Sequence, residues 1–128
     1  MKKFFLILFL ISLTQSYAYS IEPDVFVQST VNRASQVLSK NVSKEEKMNE
    51  LKIIAKETVD IKGVGYYSLG SVRKTLDDSQ KEKYLSLFEN YFLKSFSSRL
   101  SEYTNPEIDV ISKEVLNTNY TIVKSILV

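Results

Sequence analysis

Apolar residues recur with a helical period over most of this chain and with an alternating period near its end. In residues 24–40 they are spaced three or four positions apart, so one helical face carries Val27, Val31, Ala34 and Leu38. Pro23 stands where a helix can begin, since a first-turn residue needs no backbone N–H donor. The pattern predicts a first amphipathic helix over residues 24–40.

A second helix is predicted to begin at Lys44. The hydroxyl of Ser43 can accept a hydrogen bond from the amide three residues later, and Glu46 can reach back to the Ser43 amide, which is a capping box. The inner stripe of this helix is predicted to be Met48, Leu51, Ile54 or Ala55, and Thr58.

A third, shorter helix is predicted from Asp60 to Leu69, because the Asp60 carboxylate can accept hydrogen bonds from the amides of the next turn. Gly63 and Gly65 each cost about 1 kcal/mol relative to Ala inside a helix. They weaken this prediction, unless they permit another element to pack closely. Gly70 follows where a helix would end in a left-handed residue.

The longest helix is predicted over residues 78–103. Asp77 and Gln80 repeat the capping pattern at its start, and Pro106 follows its end. Its apolar stripe is Tyr84, Phe88, Tyr91 or Phe92, Phe96, Leu100 and Tyr103, and it is widened by Leu85, Leu87 and Leu93. A stripe of this width predicts contacts on more than one side.

Beyond Pro106 the alternating period predicts two strands joined by a turn at residues 117–119, with Ile108 and Val110 on one side of the first. The second strand carries Tyr120, Ile122, Ile126 and Val128 on one face. The fold class is therefore α+β: four helices, the last one long, packed on the start of an antiparallel sheet. Because a lone hairpin is marginally stable, either a partner completes the sheet or the chain is a truncated form of a longer protein.

The N-terminus has the features of a cleavable secretory signal. Lys2 and Lys3 precede an apolar run over residues 4–13, and small residues suit cleavage after Ala18 or, as we favour, after Ser20. An uncleaved anchor is the alternative, but the run is well short of the roughly 20 residues that span a bilayer. We expect residues 1–20 to be a signal peptide and residues 21–128 to form one domain.

Charge and composition limit the classes of function that the sequence allows. The whole chain has 17 basic and 15 acidic residues, and removal of the two signal lysines leaves 15 of each. A neutral domain without a basic cluster gives no reason to expect nucleic-acid binding. With no His and no Cys, the commonest general base, metal ligand and thiol nucleophile are missing. We expect no enzyme, no metal and no cofactor.

Several of these residues resemble the MlaC family when they are taken in chain order. They are an Asp that starts a short helix, a Leu-Gly pair, a basic residue shortly after it and a Gln-x-x-x-Tyr-x-x-x-Phe run, here Asp60, Leu69, Gly70, Gln80, Tyr84, Phe88, Phe92, Leu100 and Tyr103. The resemblance covers most of the chain after the signal. Arg73 and Phe96 depart from the family pattern, and the family continues into further strands after the hairpin.

The resemblance implies a periplasmic phospholipid-binding protein of the Mla transport system, whose members are also known as toluene-tolerance or ABC-transporter auxiliary proteins. Its partners would be a phospholipid, an outer-membrane lipoprotein complex and an inner-membrane MCE-domain protein of an ABC transporter. On this basis the residue-level prediction for lipid contact is Tyr66, Tyr67, Leu69, Tyr84, Phe88, Tyr91, Phe92, Ile108, Val110 and Ile122. The alternative is a small exported structural or interaction module, or a non-functional remnant, that binds another protein through the edge of its hairpin.

Overall fold

The computed structural model describes residues 20–104 and 106–128. Its elements follow one another in the order α1 Pro23–Ser39, α2 Lys44–Thr58, α3 Ile61–Ser68, a 3-10 turn Gly70–Lys74, α4 Asp78–Leu100, β1 Ile108–Asn117 and β2 Tyr120–Leu127. The predicted α+β class is confirmed, with four helices followed by one antiparallel hairpin in the described part of the chain. Apart from Ser20, the predicted signal peptide lies outside the described residues.

Both predicted capping boxes are present. The Ser43 hydroxyl accepts from the Glu46 amide at 3.2 Å, and the Glu46 carboxylate accepts from the Ser43 amide at 2.9 Å. The hydroxyl and amide of Ser43 together hold the pKa of Glu46 below its usual value. At the start of α4, Asp77 accepts from the Gln80 amide at 2.8 Å, and Gln80 accepts from the Asp77 amide at 3.0 Å. The local patterns therefore place the starts of α2 and α4 correctly.

The far end of α4 differs from the prediction. The helix ends at Leu100 rather than near Tyr103. A tight turn follows, in which the Tyr103 amide donates to the Leu100 carbonyl at 3.0 Å. Tyr103 thus leaves the helical register and turns toward the hairpin side of the cavity described below.

Helix α2 is the centre of the helical layer, because it contributes to both buried clusters. The first cluster joins α1 to α2 through Val37, Leu38, Leu51 and Ile54. The second joins α2 to α3 and α4 through Ala55, Ile61 and Leu93. Ile54 and Ala55, which the sequence left as alternatives, are both buried because each faces a different neighbour.

Helix α3 packs closely on α4 at a glycine. A Cβ on Gly65 would lie 2.7 Å from Cδ1 of Phe88 and 3.2 Å from Cδ2 of Leu85, so no larger residue fits without movement. The close packing that the sequence left open is confirmed at this position. The predicted cap is present, with Asp60 accepting from the Gly63 amide at 3.0 Å. Gly70 has a φ of +56°, which confirms the predicted left-handed residue after α3.

The hairpin turns at the predicted residues. Asn117 closes the turn by accepting from the amides of Asn119 at 2.8 Å and Tyr120 at 3.0 Å. The register opposes Ile108 to Leu127 and Asp109 to Ile126, and it shifts at Ile111 and again at Leu116. Helix α1 packs against one face, where the half-buried residues are Ile108, Val110, Thr121 and Val123. The opposite face carries Tyr120, Ile122 and Ile126, which are exposed.

Candidate functional site

An apolar cavity of about 300 Å³ lies between the helical layer and the base of the hairpin. It is bounded by α1, α2, the C-terminal part of α4, the first residue of β1 and the last residue of β2. Its lining residues are Thr30, Val31, Ala34, Ser35, Leu38, Leu51, Ile54, Ala55, Thr58, Val59, Phe96, Leu100, Tyr103, Pro106, Ile108 and Leu127.

The helical walls are made by the predicted stripes of α1 and α2. Val31, Ala34 and Leu38 come from α1 at spacings of three and four, which keeps them on one face. Leu51 and Ile54 of α2 face them in the first buried cluster. The two stripes contact each other at Leu38 and Leu51, and the cavity lies beside that contact.

The hairpin closes the cavity at its base. Ile108 and Leu127 oppose each other in the register, so their side chains share a face and form one wall together. This end of the hairpin is attached to α1, because the Ser35 hydroxyl donates to the Pro106 carbonyl at 3.0 Å. The wall therefore depends on a contact between segments far apart in sequence.

The lining carries no charged side chain. Its polar groups are hydroxyls, and three of these donate to backbone carbonyls: Thr30 to Phe26 at 2.9 Å, Ser35 to Pro106 at 3.0 Å and Thr58 to Ile54 at 2.7 Å. Among the described residues, no group of three or more acidic side chains is placed to hold a metal ion. An uncharged and largely apolar lining of this kind suits an apolar ligand.

A row of half-buried aromatic rings leads from the cavity along α4. Tyr84, Phe88, Phe92 and Phe96 are spaced four residues apart, and successive ring centroids are 6.0, 6.2 and 5.6 Å apart. Phe96 lines the cavity, while the Tyr84 hydroxyl is hydrogen-bonded to the Ser68 hydroxyl at 2.8 Å. We call these four residues the aromatic ladder.

The structure distributes the ten predicted lipid-contact residues widely. Ile108 is the one that lines the cavity. Phe88 and Phe92 pack against the cluster of Ala55, Ile61 and Leu93, and Tyr84 begins the ladder. For these residues the predicted lipid contact stays a prediction.

The other predicted residues are likewise absent from the lining of the cavity. Tyr67 is 80% exposed and Tyr91 is 70% exposed, so the inward residue of the pair left open on α4 is Phe92. Tyr66 is 40% exposed, and the Arg73 guanidinium lies 5.6 Å from the centre of its ring. Leu69 is half-buried at the end of α3, and Val110 is half-buried beneath α1. Ile122 lies on the hairpin face opposite to Ile108.

Most of the cavity wall was missed by the residue-level prediction. The missed apolar residues lie on α1, on α2 and just after it, at and beyond the end of α4, and in β2: Val31, Ala34, Leu38, Leu51, Ile54, Ala55, Val59, Phe96, Leu100, Tyr103, Pro106 and Leu127. Their stripes were recognised, but a stripe at helical spacing reads the same whether it faces a core or a cavity. The pattern that could have identified these residues was the combination of the two short apolar stripes, on α1 and α2, with the C-terminal end of the long stripe on α4.

A helical layer and a hairpin around an uncharged apolar cavity define a small α+β protein built to hold an apolar ligand. The chain belongs to the MlaC family, since the family model described as "MlaC protein" matches residues 28–128. Neither the curated proteins nor the solved structures gave a match to the chain. The resemblance seen in the sequence is thereby confirmed.

Family membership makes the protein, in general terms, a phospholipid-binding periplasmic component of the Mla system. Among the described residues, no helix combines the length and apolar character needed to cross a membrane.

Proposed function

We propose that this protein is a periplasmic carrier that shuttles phospholipid between an outer-membrane complex and an inner-membrane complex. The observation that carries the proposal is the uncharged apolar cavity enclosed by α1, α2, the end of α4 and the hairpin. In this proposal the protein is a binding protein and not an enzyme. The partners are the lipoprotein complex of the outer membrane and the MCE-domain protein of an inner-membrane ABC transporter.

The size of the site suits one acyl chain better than two. A cavity of about 300 Å³ is at the lower limit of typical ligand pockets, which range from roughly 300 to 1,000 Å³. The aromatic ladder extends the apolar surface, because the twelve helical steps from Tyr84 to Phe96 span about 18 Å. Half the hydrocarbon thickness of a bilayer is about 15 Å, so an acyl chain matches the ladder in length.

Transport would be passive. Each buried CH₂ contributes about 0.8 kcal/mol, so the cavity and ladder favour an acyl chain over water without an energy source in this chain. Release would follow when docking to a membrane complex favours a conformation with a less enclosed cavity. ATP hydrolysis would belong to the transporter.

A cavity-filling variant tests lipid binding. Ala34 lines the cavity, and Ala34→Phe would occupy part of its volume. Ser29 lies on the same helix and is exposed, so Ser29→Phe is a matched control for an added aromatic ring. Each protein is purified from the periplasm, extracted with organic solvent and analysed for phospholipid by mass spectrometry.

We expect about one phospholipid per molecule of wild type and of Ser29→Phe, and a several-fold lower content in Ala34→Phe. Lipid-free, stable wild-type protein would refute the proposed carrier, as would equal lipid content in all three proteins. The shuttling step is tested separately, by transfer of labelled phospholipid between donor and acceptor vesicles. Binding without any acceleration of transfer would contradict shuttling and leave binding intact.

The hairpin favours a second candidate function, that of an exported interaction module. Its outer face exposes Tyr120, Ile122 and Ile126, and a free strand edge can add a strand from another chain. The lipid analysis distinguishes the two candidates, because a pure interaction module would carry no stoichiometric lipid.

A further inference from the structure

The charged side chains of α2 are divided between two sides of the helix. Glu50 and Glu57 are paired with cations of α1, at nitrogen–oxygen distances of 2.5 and 2.6 Å. Lys52 and Lys56 lie on the side that faces α4, where they line a groove between the two helices. The acids of this part of α2 are therefore neutralised by α1, and the positive charge of the two lysines remains in the groove.

The groove between α2 and α4 has a positively charged lining. Its polar residues are Lys52 and Lys56 of α2 and Asn90 and Lys94 of α4, its remaining residues are apolar, and the lining contains no carboxylate. We call it the lysine groove. Because the lysines come from two helices that are far apart in sequence, no run of basic residues indicates this cluster in the sequence.

Few acids offset these lysines. Within residues 20–104 and 106–128, Lys52 and Lys94 form no ion pair, and the nearest acid to Lys56 is Glu89 at 3.8 Å. Glu45 is on the same side of α2 as Lys52, but it lies two turns earlier, in the first turn, where it complements the helix dipole. The groove therefore presents three ammonium groups, which suit an anion with several oxygens, such as a phosphate.

The lysine groove and the aromatic ladder lie on opposite sides of α4. Each helical residue advances by about 100°, so Asn90 and Lys94, which are each two residues from Phe92, lie about 160° from that ring around the helix axis. The ladder leads to the cavity, because Phe96 is part of the cavity lining. A strand packed on the ladder would therefore leave the lysine groove uncovered.

Exposed apolar side chains adjoin the groove. Leu87 is 62% exposed and three residues from Asn90, and Tyr91 is 70% exposed and three residues from Lys94, so each lies beside a residue of the groove. Ile53, in the lining on α2, is 55% exposed. Lysines beside tyrosine and aliphatic side chains are typical of surfaces at a membrane interface, where rings and aliphatic chains enter the headgroup region. A free phosphate ion would leave these apolar side chains exposed to water.

We propose that the lysine groove, with Leu87 and Tyr91, docks the protein on the surface of a bilayer that contains anionic phospholipid. The lipid phosphates accept hydrogen bonds from the lysines, and each lysine near the surface strengthens binding roughly fivefold. Docking of this strength is reversible and weakens as salt screens the charges. Because the groove lies opposite the ladder, docking holds the protein at the membrane without occupying the apolar surface that leads to the cavity.

Cosedimentation of the exported protein with vesicles measures docking. The vesicles contain phosphatidylcholine alone or with about one third phosphatidylglycerol, which supplies the anionic surface. Lys52→Gln/Lys94→Gln removes two charges of the groove. Lys62→Gln/Lys74→Gln is the matched control, because it removes two exposed lysines of α3 and the 3-10 turn and gives the same net charge.

We expect wild type to bind the phosphatidylglycerol vesicles at low salt, the groove variant to bind at least 10-fold more weakly, and the control variant to stay within about threefold of wild type. Equal vesicle binding with and without phosphatidylglycerol, or no binding by wild type at low salt, overturns the proposal. Equal weakening of the two variants overturns it too, because net charge and not the groove would then decide binding. Binding of polyglutamate without binding of vesicles would assign the groove to an acidic protein segment instead.

A tryptophan reporter identifies the face that meets the bilayer, since the chain has no Trp of its own. On phosphatidylglycerol vesicles the fluorescence of Tyr91→Trp should shift to the blue, while that of Tyr67→Trp, on α3 and 80% exposed, should not. A shift in Tyr67→Trp alone, or in neither protein, counts against this orientation. Neither measurement reports the lipid held in the cavity, so the carrier proposal and the docking proposal can fail separately.

Discussion

At the scale of single residues, Gly65 sets how closely α3 approaches α4. The nearest atom of the Phe88 ring lies 2.7 Å from where a Cβ on Gly65 would be, and Phe88 is the second ring of the aromatic ladder. The absence of a side chain at position 65 thus fixes the position of a ring that is also packed on the second buried cluster. Because position 65 has no side chain, the short helix α3 packs directly on a ring of the aromatic ladder, which is the apolar surface leading to the cavity.

Gly65→Ala should lower the free energy of unfolding by about 1–3 kcal/mol, because an added methyl group displaces Phe88 from a packed position. This loss exceeds the roughly 1 kcal/mol that Ala usually gains over Gly in a helix. Urea denaturation measures it. Val64→Ala is the control on the same helix, where a partly exposed side chain predicts a smaller change. A stabilised Gly65→Ala protein would contradict the close contact.

The ion pairs of Lys113 give folding a predictable pH dependence. The hydrogen bond from Lys113 holds the pKa of Asp24 below its usual value, and the hydrogen bonds to Asp24 and Glu22 raise the pKa of Lys113. The Asp24 contribution is present above the unfolded pKa of about 3.9 and is lost as pH falls through the lower folded pKa. The Lys113 contribution is present below the unfolded pKa of about 10.4 and is lost as pH rises through the raised one.

Asp24→Asn should therefore flatten the acid side of the stability profile. The urea midpoint of wild type should fall from about pH 5 downward more steeply than that of Asp24→Asn, because only wild type loses the Asp24–Lys113 attraction on protonation. Asp78→Asn is the control, because it removes a fully exposed carboxylate whose one ion pair is the 3.5 Å contact with Lys81 on the same helix, and its effect should be smaller. Identical slopes for wild type and Asp24→Asn would show that the pair contributes nothing to folding.

At the scale of elements, α1 is the part that holds the hairpin on the helical layer. Together with its N-cap residue Glu22, it contacts β1 and the segment just before β1 at three levels. Ser35 bonds to Pro106, Gln28 bonds to Ile108 and Val110, and the acids Glu22 and Asp24 pair with Lys113. The same helix contributes Val31, Ala34 and Leu38 to the cavity wall. The contacts that hold the hairpin on α1 therefore also close the cavity.

Gln28→Ala should release the base of β1. Two hydrogen bonds to backbone groups are lost, at a cost of about 1–2 kcal/mol, and the Val110 amide should exchange with solvent roughly 10-fold faster. Exchange measured by NMR gives the rate at that amide. Asn32→Ala is the matched control, because it removes only the exposed bond from Gln28 to Asn32 at 3.0 Å. Equal protection of Val110 in all three proteins would mean that Gln28 does not hold the strand.

At the scale of the whole molecule, the cavity lies beside the first buried cluster and not inside it. Leu38, Leu51 and Ile54 belong to both, so the residues that stabilise the α1–α2 contact also face the ligand site. A ligand that fills the cavity would extend this cluster toward Phe96 and the hairpin. Ligand binding and folding stability should be strongly linked for this reason.

Removal of bound lipid should lower the melting temperature. A ligand at about 100 times its dissociation constant contributes about 2.7 kcal/mol, which corresponds to roughly 10 °C for a domain of this size. Circular dichroism is a suitable probe, because the chain has no Trp. Readdition of phospholipid should restore the melting temperature of wild type and of Ser29→Phe but not of Ala34→Phe. An unchanged melting temperature in stripped wild type would argue against a bound lipid.

The local features of this protein were determined by its sequence alone. Helix starts at Lys44 and Asp78, the cap at Asp60 and the turn at Asn117 each depend on groups at most four residues apart. Periodicity identified the elements for the same reason, since side-chain direction within a helix or strand is fixed by its own backbone. The family pattern was also readable, because it consists of spaced residues along one chain.

The site was decided by tertiary structure. The two bonds from Gln28 to β1 join residues 80 and 82 positions apart, and no local pattern encodes which helix closes which strand edge. The choice of Phe92 over Tyr91, and of Ile108 over Ile122, depends on which neighbouring element covers each face. A stripe of apolar residues shows that one face of an element is kept from water. A cavity forms only where three such faces meet without filling the space between them.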